Sequence, residues 1–298
     1  MSTNRYLHSA QQWGRDGEQL ILAGERIFVR HRRQPDKPVL LLLHGFPSSS
    51  WDWQPLWEPL GEHFELLALD LLGFGFSAKP NRRDYSIHRQ ADIVEALLAA
   101  KQIDHCQLLV HDYSVSVAQE LLARQQQRGD SRYRSCCFLN GGLFPETHRA
   151  LLTQRLLLSP LGGLLNSLAG YRQFARNFSR VFGPASQPSE EELRAHWWLI
   201  TRDGGKHLFH NLITYINDRR QHRQRWLTPL QQSAIPLALI NGSCDPVSGQ
   251  HMVVRYQQLG CRLDYLAQLP MIGHYPQLEA SEAVLEHYLS FTVMNTTD

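Results

Sequence analysis

The chain has 298 residues, of which 43% are apolar and 19% are charged, so it can bury a full core as one large domain or two smaller ones. Its 30 basic and 28 acidic side chains give a formal net charge of +2, which leaves no electrostatic argument for a nucleic-acid partner. The basic run "RRQHRQRW", which begins at Arg219, is interpreted as a solvated helix face.

The N-terminal stretch "MSTNRYLHSAQQWGRDGEQL" lacks the apolar region of a leader sequence. No later run approaches the roughly 18 apolar residues that a membrane span needs. The five cysteines are odd in number, form no CxxC pair and fall mostly in apolar, strand-like runs, where a thiol behaves as a small hydrophobe. The sequence therefore predicts no membrane anchor, no disulfide framework, and a reducing, cytoplasmic location.

The first half of the chain alternates short apolar runs with helical patterns. The runs are "RIFVRHR", "PVLLLLH", "FELLALD", "QLLVHD" and "SCCFLNGG", and their continuous hydrophobicity is typical of strands buried on both faces. Helical patterns such as "SIHRQADIVEALLAAKQ", with Ser86 as its N-cap, lie between them. This repetition predicts an α/β fold with a mostly parallel sheet flanked by helices.

The strand pattern is absent from about Leu143 to Thr228, where the sequence is rich in leucine, arginine and aromatic residues. Further strands are predicted at "IPLALING" and "LDYLAQLP", and a final helix at "ASEAVLEHYLSF". We predict a core domain made of residues 1–142 and 229–298, with an inserted helical cap at 143–228.

Several predicted strands end in groups that can do chemistry. "LLLLHGFP" ends in a glycine-containing turn, "LLVHD" in Asp112 and "LALINGSCDP" in Asp245, while His274 follows the last strand in "LPMIGHYP". Open parallel sheets bind their ligands beyond the carboxyl ends of the strands. Acid, second acid and histidine is also the chain order of the α/β-hydrolase triad.

The chain resembles the α/β-hydrolase superfamily, in particular its epoxide hydrolase and haloalkane dehalogenase branch and, within that branch, the mesoderm-specific transcript family. Nine blocks between about residues 24 and 290 carry the resemblance, namely "LLLLHGFPSSSWDW", "LALDLLGFGFSAKP", "IVEALL", "HDYSVSVAQELL", "NGGLFPETHRALL", "VFGP", "YINDRR", "DPV" and "GHYPQLE". It implies an α/β-hydrolase fold with a helical cap.

The resemblance also implies a mechanism. Asp112 would open an electrophilic sp3 carbon and form an alkyl-enzyme ester, which water activated by His274 and Asp245 would hydrolyse. The backbone N–H groups of Phe46 and Tyr113 would form the oxyanion hole.

The leaving group distinguishes the members of this branch. An epoxide leaves as an alkoxide and is usually protonated by a cap tyrosine, for which Tyr215 is the first candidate and Tyr171 the second. A halide needs an indole donor directly after the nucleophile and often an asparagine after "HG", whereas this chain has Tyr113 and Phe46 there. The expected substrate is therefore a small or medium apolar epoxide, with haloalkane dehalogenation as a disfavoured alternative.

Ser114, two residues after Asp112, offers a different nucleophile and would make the protein a carboxylesterase. The strand would then have to extend through the charged Asp112, and the "G-x-S-x-G" pattern would read "D-x-S-x-S". Val110 and Val115 stand where the tight turn favours small residues, so a catalytically weakened binding protein with the same fold is a third interpretation.

The fifteen histidines show no HxxxH or HxH spacing in the cap, and "GFGFS" contains no GxGxxG. We therefore expect no metal ion and no cofactor, and a small apolar molecule as the partner. The sequence does not indicate an oligomeric state.

Overall fold

A computed structural model describes residues 4–81, 84–147 and 170–294 of the chain. Within these ranges eight strands form one sheet in the order β1-β2-β4-β3-β5-β6-β7-β8. The strands are β1 (Glu18–Leu22), β2 (Glu25–Arg32), β3 (Val39–Leu43), β4 (Glu65–Leu69), β5 (Cys106–Val110), β6 (Tyr133–Phe138), β7 (Leu237–Gly242) and β8 (Tyr265–Leu269). Strand β2 runs antiparallel to β1 and β4, and the pairs from β4 to β8 are parallel.

The central strands are apolar because both of their faces are covered. In β3, Leu41 and Leu43 pack into one hydrophobic cluster, whereas Leu40 and Leu42 pack into another. Successive strand side chains point to opposite faces, so the two clusters are the layers on the two sides of the sheet. This arrangement confirms the predicted α/β architecture.

Helices cover the sheet and follow most of its strands. Their bounds are α1 (Arg5–Arg15), α2 (Gln54–Gly61), α3 (Ile87–Ala100), α4 (Tyr113–Arg128), α5 (Tyr171–Ser179), α6 (Glu190–Thr201), α7 (Phe209–Leu212), α8 (Tyr215–Gln221), α9 (Arg223–Gln231), α10 (Gln250–Gln258), α11 (Pro276–Glu279) and α12 (Ser281–Met294). The predicted N-cap at Ser86 is confirmed, since its hydroxyl accepts the Arg89 N–H at the start of α3.

The chain between β6 and β7 carries helices α5 to α9. Residues 148–169 of the predicted cap lie outside the described residues. Helix α9 continues past the predicted boundary at residue 228 and packs along α4. The division of the chain into core and cap stays a prediction.

The interpretation of "RRQHRQRW" as a solvated helix face is wrong for two of its residues. Arg219 and Trp226 are almost completely buried. The run spans the junction of α8 and α9. Arg219 binds Ser116 of α4 and Trp226 binds Glu120 of α4, so these two side chains are buried although their neighbour Arg220 is exposed.

The five cysteines are free thiols, four of them buried and Cys244 exposed. In the part of the chain that the structure describes, the helices are too short or too polar to cross a bilayer. The cytoplasmic location stays a prediction.

Candidate active site

Asp112 occupies a sharp turn between strand β5 and helix α4. Its backbone dihedrals are φ 45° and ψ −102°, a region that non-glycine residues rarely adopt and that stores strain. Its N–H donates to the carbonyl oxygen of Asn140, at 2.7 Å, just beyond the neighbouring strand β6. Strand β5 ends at Val110, so Asp112 lies just beyond the strand, at the carboxyl end of the sheet.

The turn has room because glycines face it from two other segments. A Cβ atom on Gly45 would lie 2.8 Å from the Asp112 Cβ, and one on Gly141 would lie 2.5 Å from the Val115 Cγ1. Val110 is an ordinary buried member of the core. The small residues that a tight turn requires are therefore present opposite Asp112 and Val115, on the segments after β3 and β6.

The Ser114 hydroxyl is engaged in a contact inside the protein. The residue is fully buried, and its hydroxyl donates to the carbonyl oxygen of His44 at 2.5 Å. This contact ties helix α4 to the end of β3, which agrees with a spacing role.

Asp112, Asp245 and His274 lie together at the carboxyl ends of the strands. The His274 Nδ1 atom is 2.7 Å from the Asp245 Oδ2 atom, and its Nε2 atom is 3.5 Å from the Asp112 Oδ1 atom. All three residues are less than 5% exposed, at 4%, 3% and 4% in chain order. The imidazole thus bridges two buried carboxylates.

Asp245 is oriented by a dense set of donors. Its Oδ1 atom accepts the Val247 N–H at 2.8 Å. Its Oδ2 atom accepts the Ser248 N–H at 3.0 Å and hydroxyl at 2.6 Å, and the Asn140 Nδ2 at 3.0 Å. These bonds fix the carboxylate toward His274.

The charges of this group follow from burial and from the close pairing. Burial disfavours ionisation of Asp112, but the hydrogen bond and charge of His274 outweigh it and hold the Asp112 pKa well below its usual range. Burial lowers the pKa of His274, but the Asp245 and Asp112 carboxylates outweigh it and raise that pKa to about 10. Burial opposes ionisation of Asp245 too, and the charge of His274 dominates and lowers its pKa. All three shifts favour the charged forms, an imidazolium beside two carboxylates.

One of the two predicted oxyanion-hole donors, the Phe46 N–H, forms a hydrogen bond at the site. The Phe46 N–H donates to the Asp112 Oδ2 atom at 3.0 Å. Tyr113 is the first residue of α4, and the first N–H groups of a helix have no acceptor inside it. The geometry leaves Tyr113 suitable as the second donor, and that role stays a prediction.

Tyr215 lies beside this site and Tyr171 lies elsewhere. The Tyr215 ring is 4.9 Å from the ring of Tyr113 and 6.3 Å from that of Phe46, measured between centroids. Burial raises the pKa of the Tyr215 phenol, and the charge of Asp112 raises it further. Tyr171 instead packs against Trp197, at 6.2 Å, near the start of α5.

Four further residues hold the site together, namely Asn140, Glu279, His111 and Arg219, and the sequence did not indicate these roles. The side chain of Asn140 joins Asp245 to Gly242, whose N–H it accepts at 2.6 Å. A side-chain amide both donates and accepts hydrogen bonds, which suits this bridging position. Asn140 therefore contacts the nucleophile candidate through its backbone and the acid candidate through its side chain.

Glu279 holds the His274 loop from the other side. Its carboxylate accepts the N–H groups on both sides of His274, from Gly273 at 2.9 Å and Tyr275 at 2.9 Å. It also accepts the Gly183 N–H at 2.7 Å. The pattern "GHYPQLE" places an acid five residues after the histidine, and this spacing was the available signal.

His111 and Arg219 complete the surroundings. Burial lowers the pKa of His111 to about 3, so the ring is neutral, and its Nε2 atom donates to the His274 carbonyl oxygen at 2.7 Å. Arg219 reaches the Asp112 carbonyl oxygen from helix α8 at 3.2 Å.

Comparison with known proteins places this geometry in a family. The family model described as the alpha/beta hydrolase fold matches residues 38–281. A mesoderm-specific transcript homolog protein of Bos taurus is 41% identical over 96% of this chain and 87% of its own length. LipZ of Mycobacterium tuberculosis, which is named as a hydrolase, is 36% identical over 96% of this chain and 98% of its own.

Among solved structures, a haloalkane dehalogenase from Bradyrhizobium elkani superposes with a TM-score of 0.80 at 22% identity, over 94% of this chain and 98% of that one. This likeness concerns the fold. The family resemblance inferred from the nine sequence blocks is confirmed, and the chain belongs to the alpha/beta hydrolase fold family.

Proposed function

We propose that the protein is an epoxide hydrolase-like enzyme in which Asp112 attacks the substrate and His274 and Asp245 complete the turnover. The observation that carries the proposal is the contact set of the Asp112 carboxylate. One oxygen accepts the Phe46 N–H at 3.0 Å, and the other faces the His274 Nε2 atom at 3.5 Å. A carboxylate held in this way is an oriented, ionised nucleophile.

In the first step a carboxylate oxygen of Asp112 attacks an epoxide carbon and the C–O bond of the ring breaks. The alkoxide that forms takes a proton from the Tyr215 hydroxyl. Because burial raises the pKa of this phenol, Tyr215 keeps its proton until a strong base such as an alkoxide is present. The products of this step are a hydroxyalkyl ester on Asp112 and a tyrosinate that solvent reprotonates.

Ester formation also prepares the second step. It removes the negative charge of Asp112, which is one of the causes that raise the pKa of His274. The pKa of the imidazole then falls, so His274 releases its proton to solvent and the neutral ring takes a proton from water at its Nε2 atom. The hydroxide attacks the ester carbonyl carbon, and the N–H groups of Phe46 and Tyr113 stabilise the oxyanion. Collapse breaks the ester C–O bond, and the leaving alkoxide takes the proton of the carboxylic acid that forms, which gives the diol, the Asp112 carboxylate and protonated His274.

The surroundings of Asp112 favour an apolar substrate. Aromatic rings adjoin the carboxylate, with Phe46 contacting Phe74 at 6.3 Å, Phe209 at 5.8 Å and Tyr215 at 6.3 Å between centroids. Such rings bury an apolar ligand and leave its reactive carbon facing the few polar groups.

Covalent trapping tests this proposal. We would replace His274 with alanine, so that an ester can form but is not hydrolysed, and incubate the variant with epoxides, haloalkanes and activated esters. Intact mass and peptide mapping should locate an epoxide adduct on Asp112, and Asp112→Asn in the same background should form none.

The same experiment separates the alternatives. An adduct from haloalkanes and none from epoxides would favour a dehalogenase-like enzyme. An acyl group on Ser114 would favour the esterase interpretation, against which its burial and its bond to His44 argue. No adduct, together with an inert native chain, would favour a binding protein.

A further inference from the structure

Helix α8 directs two side chains at the nucleophile. Tyr215 and Arg219 stand four residues apart and therefore share one helix face, and the Arg219 guanidinium carbon lies 4.5 Å above the centre of the Tyr215 ring. Between them on the helix, the Asp218 carboxylate accepts the N–H of Ile87 at 2.9 Å, at the start of α3. Helix α8 is thus fixed in place directly over the turn at Asp112.

Arg219 donates two hydrogen bonds at that turn. Its Nη2 atom donates to the Asp112 carbonyl oxygen at 3.2 Å, and its Nε atom donates to the Ser116 hydroxyl at 2.7 Å. The same Asp112 carbonyl accepts the first helical bond of α4, from Val115 at 3.2 Å. The guanidinium therefore clamps the strained residue to the turn of helix that follows it.

The two hydrogen bonds and the Tyr215 ring compensate only part of the cost of burying this cation. Arg219 is 1% exposed, and within residues 4–81, 84–147 and 170–294 it forms no ion pair with a carboxylate. Its Nη1 atom is buried without a hydrogen-bond partner in the same ranges. Burying a cation in this way costs stability. Such arrangements are concentrated at functional sites.

The position also has an electrostatic consequence. Carboxylate attack requires that Asp112 be ionised and that its carbonyl carbon later bear an oxyanion. A fixed positive charge beside the backbone of Asp112 favours both species, and the charge of Arg219 is among the causes that lower the Asp112 pKa.

We propose that Arg219 is a positioning residue for the nucleophile: its fork of hydrogen bonds to the Asp112 carbonyl and to Ser116 holds the turn in its reactive conformation. The inference rests on the proposed function, because its kinetic test follows the attack of Asp112 on a substrate. It links the packing of helix α8 to the reactivity of Asp112, so the helix that supplies Tyr215 also holds the nucleophile in position.

The test compares Arg219→Gln and Arg219→Lys with Arg220→Gln, which alters the exposed neighbouring arginine. In the His274→Ala background we would measure the rate of adduct formation on Asp112 with the epoxide and the haloalkane that react best. Arg219→Gln removes the two charge-assisted hydrogen bonds, so the rates of adduct formation from the epoxide and from the haloalkane should both fall about ten- to a hundredfold. Arg219→Lys, which keeps the charge and one donor, should recover part of the rate, a rescue that simple loss of packing would not give.

A second measurement does not depend on turnover. Backbone hydrogen exchange in residues 110–118 should be faster in Arg219→Gln than in Arg220→Gln. Each variant is measured the same number of degrees below its own Tm. If Arg219→Gln does not fold, Ser116→Ala removes the Nε bond alone and takes its place in both measurements.

The outcomes separate the two proposals. An adduct rate in Arg219→Gln equal to that in Arg220→Gln overturns the positioning role whatever the exchange shows. If the His274→Ala protein forms no adduct at all, the proposed function fails, and the exchange decides about Arg219: faster exchange supports its role at the turn, and equal exchange overturns it.

Discussion

At the scale of single residues, the site depends on backbone positions where one carbon atom decides the geometry. Asp112 has a strained backbone, and the glycines that face it leave no room for a methyl group. Strain of this kind persists only where surrounding contacts over-determine it. Substitutions of the facing residues should therefore affect the nucleophile more than their size suggests.

Gly141→Ala tests this directly. The added Cβ would lie 2.5 Å from the Val115 Cγ1 and 2.9 Å from the Asp112 carbonyl oxygen, so we expect a loss of about 1 to 3 kcal/mol in the free energy of unfolding. Urea denaturation of Gly141→Ala, Val115→Ala and the double variant would measure the coupling. We expect the double variant to lose less than the sum of the two single losses, and strict additivity would contradict the steric account.

Asn140→Ala should separate the two chemical steps. The change removes the donor to Asp245 and the acceptor for Gly242, but it keeps the backbone carbonyl that binds the Asp112 N–H. We expect slower hydrolysis of the ester, by about tenfold or more, with a smaller effect on its formation. Rapid-mixing kinetics with mass detection of the ester would measure both rates; equal slowing of the two would show that Asn140 does not act through Asp245.

Tyr215→Phe should affect only leaving groups that need a proton. In the His274→Ala background we expect ester formation from an epoxide to slow about a hundredfold and ester formation from a haloalkane to change little. Tyr171→Phe is the matched control, because Tyr171 packs against Trp197 instead. Equal slowing with both electrophiles would argue for a packing role.

At the scale of elements, helices α4 and α9 are joined by a buried carboxylate. The fully buried Glu120 accepts hydrogen bonds from Arg124 at 2.8 Å, from Arg225 at 2.7 Å and from the Trp226 indole N–H at 2.9 Å. Burial raises its pKa, but these three donors outweigh it and lower the pKa of Glu120 to about 2. The helix that begins directly after Asp112 is thus tied to the segment between β6 and β7.

This carboxylate should make stability depend on acid pH. Its folded pKa lies below the unfolded value of about 4.3, so its contribution is complete above that value and is lost as the pH falls toward 2. We expect the native chain to lose on the order of 2 to 3 kcal/mol more than Glu120→Gln between pH 5 and pH 2.5 in urea titrations. Glu95→Gln, which removes a more exposed partner of Arg124, is the control. Parallel pH curves for the native chain and Glu120→Gln would contradict this role.

The elements themselves were largely predictable. The continuous apolar runs at residues 40–43 and 66–69 predict buried strands, and these residues are buried. The position of the chemical groups at the strand ends follows from the topology of a parallel sheet. Arg219 was misread because its partners stand 103 and 107 residues away in the sequence. A local pattern of charged residues does not reveal which of these residues a sequence-distant helix will bury.

At the scale of the whole molecule, the site gathers contributions from both ends of the chain and from the segment between them. The Val181 carbonyl accepts the His274 N–H at 2.8 Å, and Glu279 binds Gly183 together with the two neighbours of His274. Such contacts join sequence-distant backbones, which is why Asn140 and Glu279 could be seen in the sequence but not assigned a role.

Glu279→Gln should loosen these segments together. The substitution replaces a carboxylate that accepts several N–H bonds with an amide that has one acceptor oxygen. We expect faster hydrogen exchange in residues 181–187 and 272–276 at once, with little change around Asp112. The exposed Glu282→Gln in α12 serves as the control, and loosening of only one of the two segments would contradict the proposed link.

The close approach of three backbones around Asp112 limits how this protein can change its substrate. Gly45, Gly141 and the strained turn leave no space in which a new side chain could reshape the reactive end. Substitutions that change the substrate but keep the chemistry must therefore lie at positions such as Phe209, whose ring contacts the ring of Phe46. For directed evolution, randomising residues 206–213, a range that spares Tyr215, should yield altered selectivity with retained chemistry, whereas libraries at the two glycines should yield mostly inactive chains.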